Sequence, residues 1–184
     1  MVTLTNPMAA VAESLDVLIS EQQISDKISE MADAIRQTYG AETLLLVAVL
    51  KGSFLFLADL CRKLGPNVTV DFVQVSSYGN QKSSSGVVQI RKDLDINIED
   101  KHVLIVEDIV DTGITLSHLR ELLLTRKPKS LKVASLLSKP EARERDAMIE
   151  FVGFEIPNEF VVGYGLDYAE RYRNLPYIAV LREG

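Results

Sequence analysis

The chain has a single cysteine, Cys61, among its 184 residues. That excludes a disulfide framework and makes a reducing, cytoplasmic setting the expected one. Cys61 falls in an apolar helical stretch and reads as a small core residue. Histidine is almost as scarce. His102 and His118 stand alone, with no zinc-ligand spacing and no partner for a Cys/His nucleophile pair. Long apolar runs are missing too. The longest, Leu44–Leu50, is far too short to cross a bilayer, so no membrane association is expected. The first residues lack the basic region and apolar core of a secretory signal. Basic residues do not predominate: 20 Lys and Arg against 26 Asp and Glu give a formal charge of -6. Non-specific nucleic-acid binding needs a basic surface, so no nucleic-acid partner is expected. There is no Walker A loop for ATP hydrolysis and no Gly-x-Gly-x-x-Gly for a dinucleotide. Internal repeats and inter-domain linkers are also lacking.

What is present is an alternation of strand and helix patterns. Residues 1–16 read as a loose leader of unknown role, and residues 17–184 as one domain. Ser20 with Gln23 suggests a capping box. Ile24, Ile28, Met31, Ile35 and Tyr39 then repeat at helical spacing, and Gly40 stops the helix. Residues 43–50 form a continuous apolar run, expected as a central strand buried on both faces. A helix is expected at 54–63, and strands at 68–76, 87–91, 102–106 and 131–137. A second long helix is expected at 115–126, with Leu116, Leu119, Leu122 and Leu123 inward. Two short strands close the chain at 160–163 and 177–181. Residues 143–146, Arg-Glu-Arg-Asp, read as a solvated face. This order predicts an α/β fold with a central, mainly parallel sheet flanked by helices.

The most informative stretch runs from Val103 to Leu116. An apolar strand is followed by Glu107 and Asp108, then Asp111, Thr112, Gly113 and Thr115, then an amphipathic helix. A stable core has no use for three acids and two threonines there. In α/β proteins the carboxyl ends of strands are where ligands bind. Gly113 permits a turn whose consecutive N–H groups converge, and the hydroxyls add donors, which suits a phosphate. Thr115 is also a candidate helix cap. Adjacent carboxylates leaving a strand point to opposite sides. They suit the vicinal hydroxyls of a ribose, or a metal. An acidic chain that binds a polyanion must neutralise it locally, with backbone N–H groups, placed Lys or Arg side chains, and Mg²⁺.

Residues 105–115, two hydrophobics, Glu-Asp, two hydrophobics, Asp-Thr-Gly and a second Thr, resemble the phosphoribosyl-diphosphate (PRPP) motif of type I phosphoribosyltransferases. Leu50-Lys51-Gly52-Ser53-Phe54, Ser76-Ser77-Tyr78-Gly79, Ser138-Lys139-Pro140 and the run from Phe160 to Tyr168 are similar to the hypoxanthine-guanine branch of that family, in the same order. The resemblance implies the type I fold with a small hood of N- and C-terminal segments. It implies transfer of 5-phosphoribosyl from PRPP to N9 of hypoxanthine or guanine, giving IMP or GMP and diphosphate, in purine salvage. It implies Mg²⁺ as cofactor and a homodimer or homotetramer. Glu107, Asp108, Ile109, Val110, Asp111, Thr112, Gly113, Ile114 and Thr115 would hold the phosphate and ribose, and Asp111 would be the catalytic base near purine N7. Lys51 and Gly52 would bind diphosphate through backbone groups, with Ser77 and Tyr78 joining on closure and Arg173 gripping it. Lys139, Phe160, Val161 and Asp167 would bind the purine: Lys139 at O6, Phe160 stacked on the ring, and Asp167 with its carbonyl near a guanine amino group. The metal would be held by Glu107, Asp108 and Asp167.

Taken alone, Phe160 reads as core, and Lys139 and Arg173 as surface charges; only registration with the family raises them. The peptide before Lys51 is often cis in this family. The polar residues 78–86, alone a surface loop, become a candidate lid that would exclude water. Gly165 stands where some relatives carry alanine, which implies a looser purine-edge loop. Two rivals remain open at this level. One is a transferase of the same fold that prefers xanthine or adenine; Lys139 speaks against adenine, while xanthine also carries O6. The other is a regulator that keeps the PRPP motif as a sensor. The retained Asp111 and the absence of a basic stripe favour the enzyme.

Overall fold

Strand β2 (Leu44–Leu50) is apolar along its length because both of its faces are covered. The computed structural model describes residues 14–77 and 88–182, and β2 lies at the middle of its larger sheet. The neighbours of β2 are β3 (Val68–Ser77) and β5 (His102–Val110), both parallel to it. β6 (Ser130–Ser138) and β7 (Phe151–Glu155) extend the parallel sheet beyond β5. β4 (Val88–Lys92) closes the other edge, antiparallel to β3. The strand order is β4-β3-β2-β5-β6-β7. The expected mainly parallel α/β sheet is therefore present. Its order reverses between β2 and β5, since the chain first builds outward to β3 and β4 and then returns to the other side of β2. The crevice at the carboxyl ends of β2 and β5 is a topological switch point.

Side-chain alternation along the strands separates two cores. Leu44, Leu46 and Ala48 of β2, with Leu104 and Val106 of β5, pack against α1 (Glu21–Tyr39) and α2 (Phe54–Leu64). Leu45, Val47, Val103 and Ile105 face the other way, onto Leu116, Leu119 and Leu123 of α3 (Ile114–Leu124). α1 begins with the expected capping box at Ser20 and Gln23, and Gly40 caps its end.

The hood is a three-stranded antiparallel sheet in the order β1-β9-β8, built from β1 (Ser14–Ile19), β8 (Val161–Val162) and β9 (Ile178–Arg182). It joins the first and last described segments, and its Ile19, Val161, Tyr164, Ile178 and Val180 share the core of α1 and α2.

Several elements differ from the sequence expectation. Ser14, Leu15 and Asp16, read as part of the leader, pair with Arg182, Leu181 and Val180 in β1. β5 runs on to Val110, so Glu107 and Asp108 sit within the strand rather than in a turn. β6 holds this extension by pairing with Glu107, Ile109 and Val110. β7 was not expected; it is a short edge strand whose Gly153 lies against the Leu136 carbonyl. α3 ends at Leu124, and Leu122 is only half-buried. Cys61 is half-buried at the rim of the core, its thiol donating to the Ala58 carbonyl at 3.3 Å. Residues 78–86, the candidate lid with Tyr78, lie outside the described residues.

Candidate functional site

Three chain segments meet at the β2–β5 crevice. The first is the loop after β2. Its Leu50–Lys51 peptide is cis, matching the family expectation. The hydroxyl of Ser53, fully buried, donates to the Val49 carbonyl at 2.6 Å and closes the loop onto α2. The second is the end of β5. A Cβ built on Gly52 would lie 1.6 Å from Asp108 Oδ2, so only glycine lets this loop approach the carboxylate. The third is the hood loop that follows β8. Gly165 has φ +100°, and a Cβ there would lie 2.0 Å from the Gly52 carbonyl oxygen. Gly165 therefore lets the hood loop sit directly on the Lys51–Gly52 loop. The looser purine-edge loop inferred from this glycine is corrected: the missing methyl group makes the contact closer.

Glu107 and Asp108 divide between the two faces of the sheet, as adjacent strand residues must. Asp108 faces Gly52. Glu107 lines a small cleft with Ile109, Val110, Asp111, Gly113, Thr115 and Leu116. Burial, then the charges of Asp108 and Asp111, push the Glu107 carboxyl well above its ordinary range. Burial also lifts Asp108, to about 6, against the hydrogen bonds of nearby backbone N–H groups and the attraction of Arg173. Each carboxylate is a hard-oxygen donor of the kind Mg²⁺ takes, but the two lie on opposite faces, and the described residues hold no group of three or more His, Cys, Asp or Glu side chains placed to bind a metal ion together.

Asp111 is exposed at the start of the turn, where its Oδ1 accepts from the Thr112 N–H at 2.6 Å. Gly113, at φ +79°, is the N-cap of α3 and supplies no side-chain cap. The Ile114 N–H donates to Thr112 Oγ1 at 3.4 Å, and Gly113 and Leu116 line the cleft. Thr115 lies inside the first turn rather than at the cap and lines the cleft with its neighbours. Lys139 follows β6 immediately, and its N–H donates to the Val110 carbonyl at 2.9 Å, which places it beside Asp111 in the sheet register.

On the hood side, Phe160 is just over half exposed, at 54%, and packs edge-on against Tyr168 with ring centroids 5.8 Å apart. It precedes β8 rather than beginning it, so the core reading of Phe160 alone does not hold; the ring is free to meet a planar ligand. Val161 is buried. Asp167 pairs with Arg173 at 2.8 Å, and Arg173 Nη1 donates to the Gly165 carbonyl at 2.8 Å. The Arg173 Nε is buried and has no partner among the described residues. Ser77 ends β3 opposite Val88.

Two residues of this region escaped sequence reasoning. Arg143, read as part of a solvated face, is half-buried. Its Nη2 donates to Ser138 Oγ at 2.9 Å, and its Cδ lies against Gly113. The N–H groups of Glu144 and Arg145 both donate to the Thr112 carbonyl at 3.0 Å, so this segment braces the turn from behind. Glu170 reaches Lys51 Nζ at 3.0 Å, a pair separated by 119 residues that no local signal reveals.

The family described as a phosphoribosyl transferase domain matches residues 15–169. The hypoxanthine-guanine phosphoribosyltransferase of Bacillus subtilis (strain 168) is 52% identical over 166 residues, covering 90% of this chain and 92% of that protein. The hypoxanthine phosphoribosyltransferase of Escherichia coli (strain K12) is 51% identical over 167 residues, covering 90% and 94%. A crystal structure of a hypoxanthine-guanine phosphoribosyltransferase from Bacillus anthracis, with a HEPES molecule in its active site, superposes with a TM-score of 0.86 at 52% identity, covering 90% of this chain and 97% of that one.

Proposed function

Because the chain belongs to the phosphoribosyltransferase family and is a transferase of its hypoxanthine-guanine branch, we propose that the β2–β5 crevice moves 5-phosphoribosyl from PRPP to N9 of hypoxanthine or guanine. The products are IMP or GMP and diphosphate. One observation carries this reading: Gly52 touches both Asp108 and Gly165, so the diphosphate loop, the ribose-facing strand end and the purine-facing hood loop share one cleft.

The turn from Asp111 to Thr115 and the N-terminus of α3 would take the 5-phosphate, with Ile109, Val110, Thr112, Gly113 and Ile114 contributing backbone. Glu107 and Asp108 would accept from the ribose hydroxyls or hold Mg²⁺, and Asp167 would hold a second ion. Mg²⁺, when bound, would supply positive charge for the departing diphosphate. The backbone of Lys51 and Gly52, with Ser77, Tyr78 and Arg173, would take the diphosphate itself. Phe160 would stack on the purine, the Val161 backbone would read its pyrimidine edge, and Lys139 would donate to O6.

The chemical step leaves positive charge on the sugar and negative charge on diphosphate. Groups that favour this separation over the bound substrate lower the barrier. Asp111, exposed at the start of its turn, would take or share the proton at N7 as the purine attacks. Asp111→Asn should therefore lower turnover by about a hundredfold or more while PRPP still binds. Unchanged turnover in that variant rules out the assigned role. The wider test is a spectrophotometric assay with PRPP, Mg²⁺ and hypoxanthine, guanine, xanthine or adenine in turn. Activity with none of the four overturns the function, and a preference for xanthine would relocate its specificity.

No helix among the described residues is long and apolar enough to cross a membrane. We place the enzyme in the cytoplasm as a homodimer or homotetramer, as its family resemblance implies. Light scattering that returns the monomer mass at micromolar concentration would refute the oligomer.

A further inference from the structure

The hood loop from Asp167 to Arg173 folds back sharply, with Ala169 at φ 51° and Glu170 at φ 62°. The Asp167 carboxylate shapes this turn, accepting from the Glu170 N–H at 2.9 Å and pairing with Arg173. The fold-back delivers the Glu170 carboxylate to two cations at once. It lies 3.0 Å from Lys51 Nζ and 3.4 Å from Arg173 Nη2. The proposed function gives diphosphate to the guanidinium of Arg173 and to the backbone of the loop that carries Lys51.

We propose that Glu170 is an internal stand-in for diphosphate, holding the Lys51 side chain and Arg173 together and competing with the ligand for Arg173. This rests on the proposed function. The physical case is one of charge and access. Glu170 is two-thirds exposed, so its ion pairs are weak and a multiply charged ligand displaces it readily. Once diphosphate is bound, the displaced carboxylate remains anchored nearby through the Glu170 N–H and repels it. The arrangement lowers diphosphate affinity and speeds release of the product.

Glu170→Gln keeps the size and the backbone bond and removes the charge. Titrated with inorganic diphosphate in MgCl₂, this variant should bind about three- to tenfold more tightly than the unaltered enzyme. The KM for PRPP should fall by a similar factor, and diphosphate should become a stronger product inhibitor. The advantage should shrink as salt is raised. Arg173→Gln, shown to be folded by its thermal melt and measured alongside, should weaken diphosphate binding. If Glu170→Gln binds no tighter while Arg173→Gln still weakens binding, the stand-in role is overturned and the diphosphate site remains. If Arg173→Gln leaves binding unchanged, the site assignment itself falls, and the stand-in with it.

Discussion

Asp108→Asn should make the unliganded protein more stable at neutral pH while impairing its activity. Burial lifts the Asp108 carboxyl from 3.8 to about 6 in the folded chain. A folded-state pKa above the unfolded one means that the unfolded chain releases its proton first. Stability then falls as pH rises through the window from 3.8 to about 6, and the cost is fully present above it. At about 1.4 kcal/mol for each tenfold difference in proton affinity, the cost is about 3 kcal/mol. For a domain of this size that is roughly 6–12 °C in Tm. An asparagine oxygen can still accept the backbone N–H bonds that the carboxylate accepts, so the substitution removes charge without orphaning a donor. The assay is thermal unfolding in EDTA at pH 5 and pH 8, with and without the substitution. The unaltered protein should lose Tm between the two pH values by more than the variant does. PRPP with Mg²⁺ should stabilise the unaltered protein far more than the variant. If the variant melts lower at pH 8 and shows the same pH dependence, the carboxylate is not strained by burial, and the reasoning fails.

The other predictions concern the contacts that assemble the crevice. Gly52→Ala places a methyl group against Asp108 and should cost about 1–3 kcal/mol of stability, raising the KM for PRPP on the order of tenfold; an unchanged KM would show that the close approach is dispensable. Tyr164→Phe removes the hydroxyl that donates to Asp59 on α2 and should cost about 1–2 kcal/mol in urea unfolding. Burial, followed by the bond to Asp59, holds that phenol far above its ordinary range, so this loss should not vary between pH 6 and 9. A Tyr164→Phe penalty that disappears at pH 9 would contradict it.

Much of the fold was legible because its signals are local. The β2 run, the Ser20 capping box and the α1 spacing depend on nearest neighbours and on which faces are covered, and all three stand in the structure. β1 and β7 were missed. Both are short edge strands, which need no continuous apolar run, and β1 moreover pairs with β9 at the other end of the chain, while β7 pairs with β6, the strand before it. Phe160 shows the limit of composition. An aromatic residue before two valines reads as core, yet the strand begins one residue later and the ring turns outward against Tyr168.

By itself the sequence determined the chemistry on offer: three acids, a glycine turn and two threonines after a buried strand, and an order of motifs that names the family. These are matters of residue type and spacing, which the chain carries along its length. Only the tertiary structure decided how those groups are used together. It buried Glu107, brought Asp108 against Gly52, and half-buried Arg143 against the turn at Gly113. It put Gly52 between Asp108 and Gly165, and it carried Glu170 across 119 residues to Lys51. Charge, burial and close approach depend on what packs around a residue, and that packing is fixed only when β2 and β5 become neighbours and the hood closes over them.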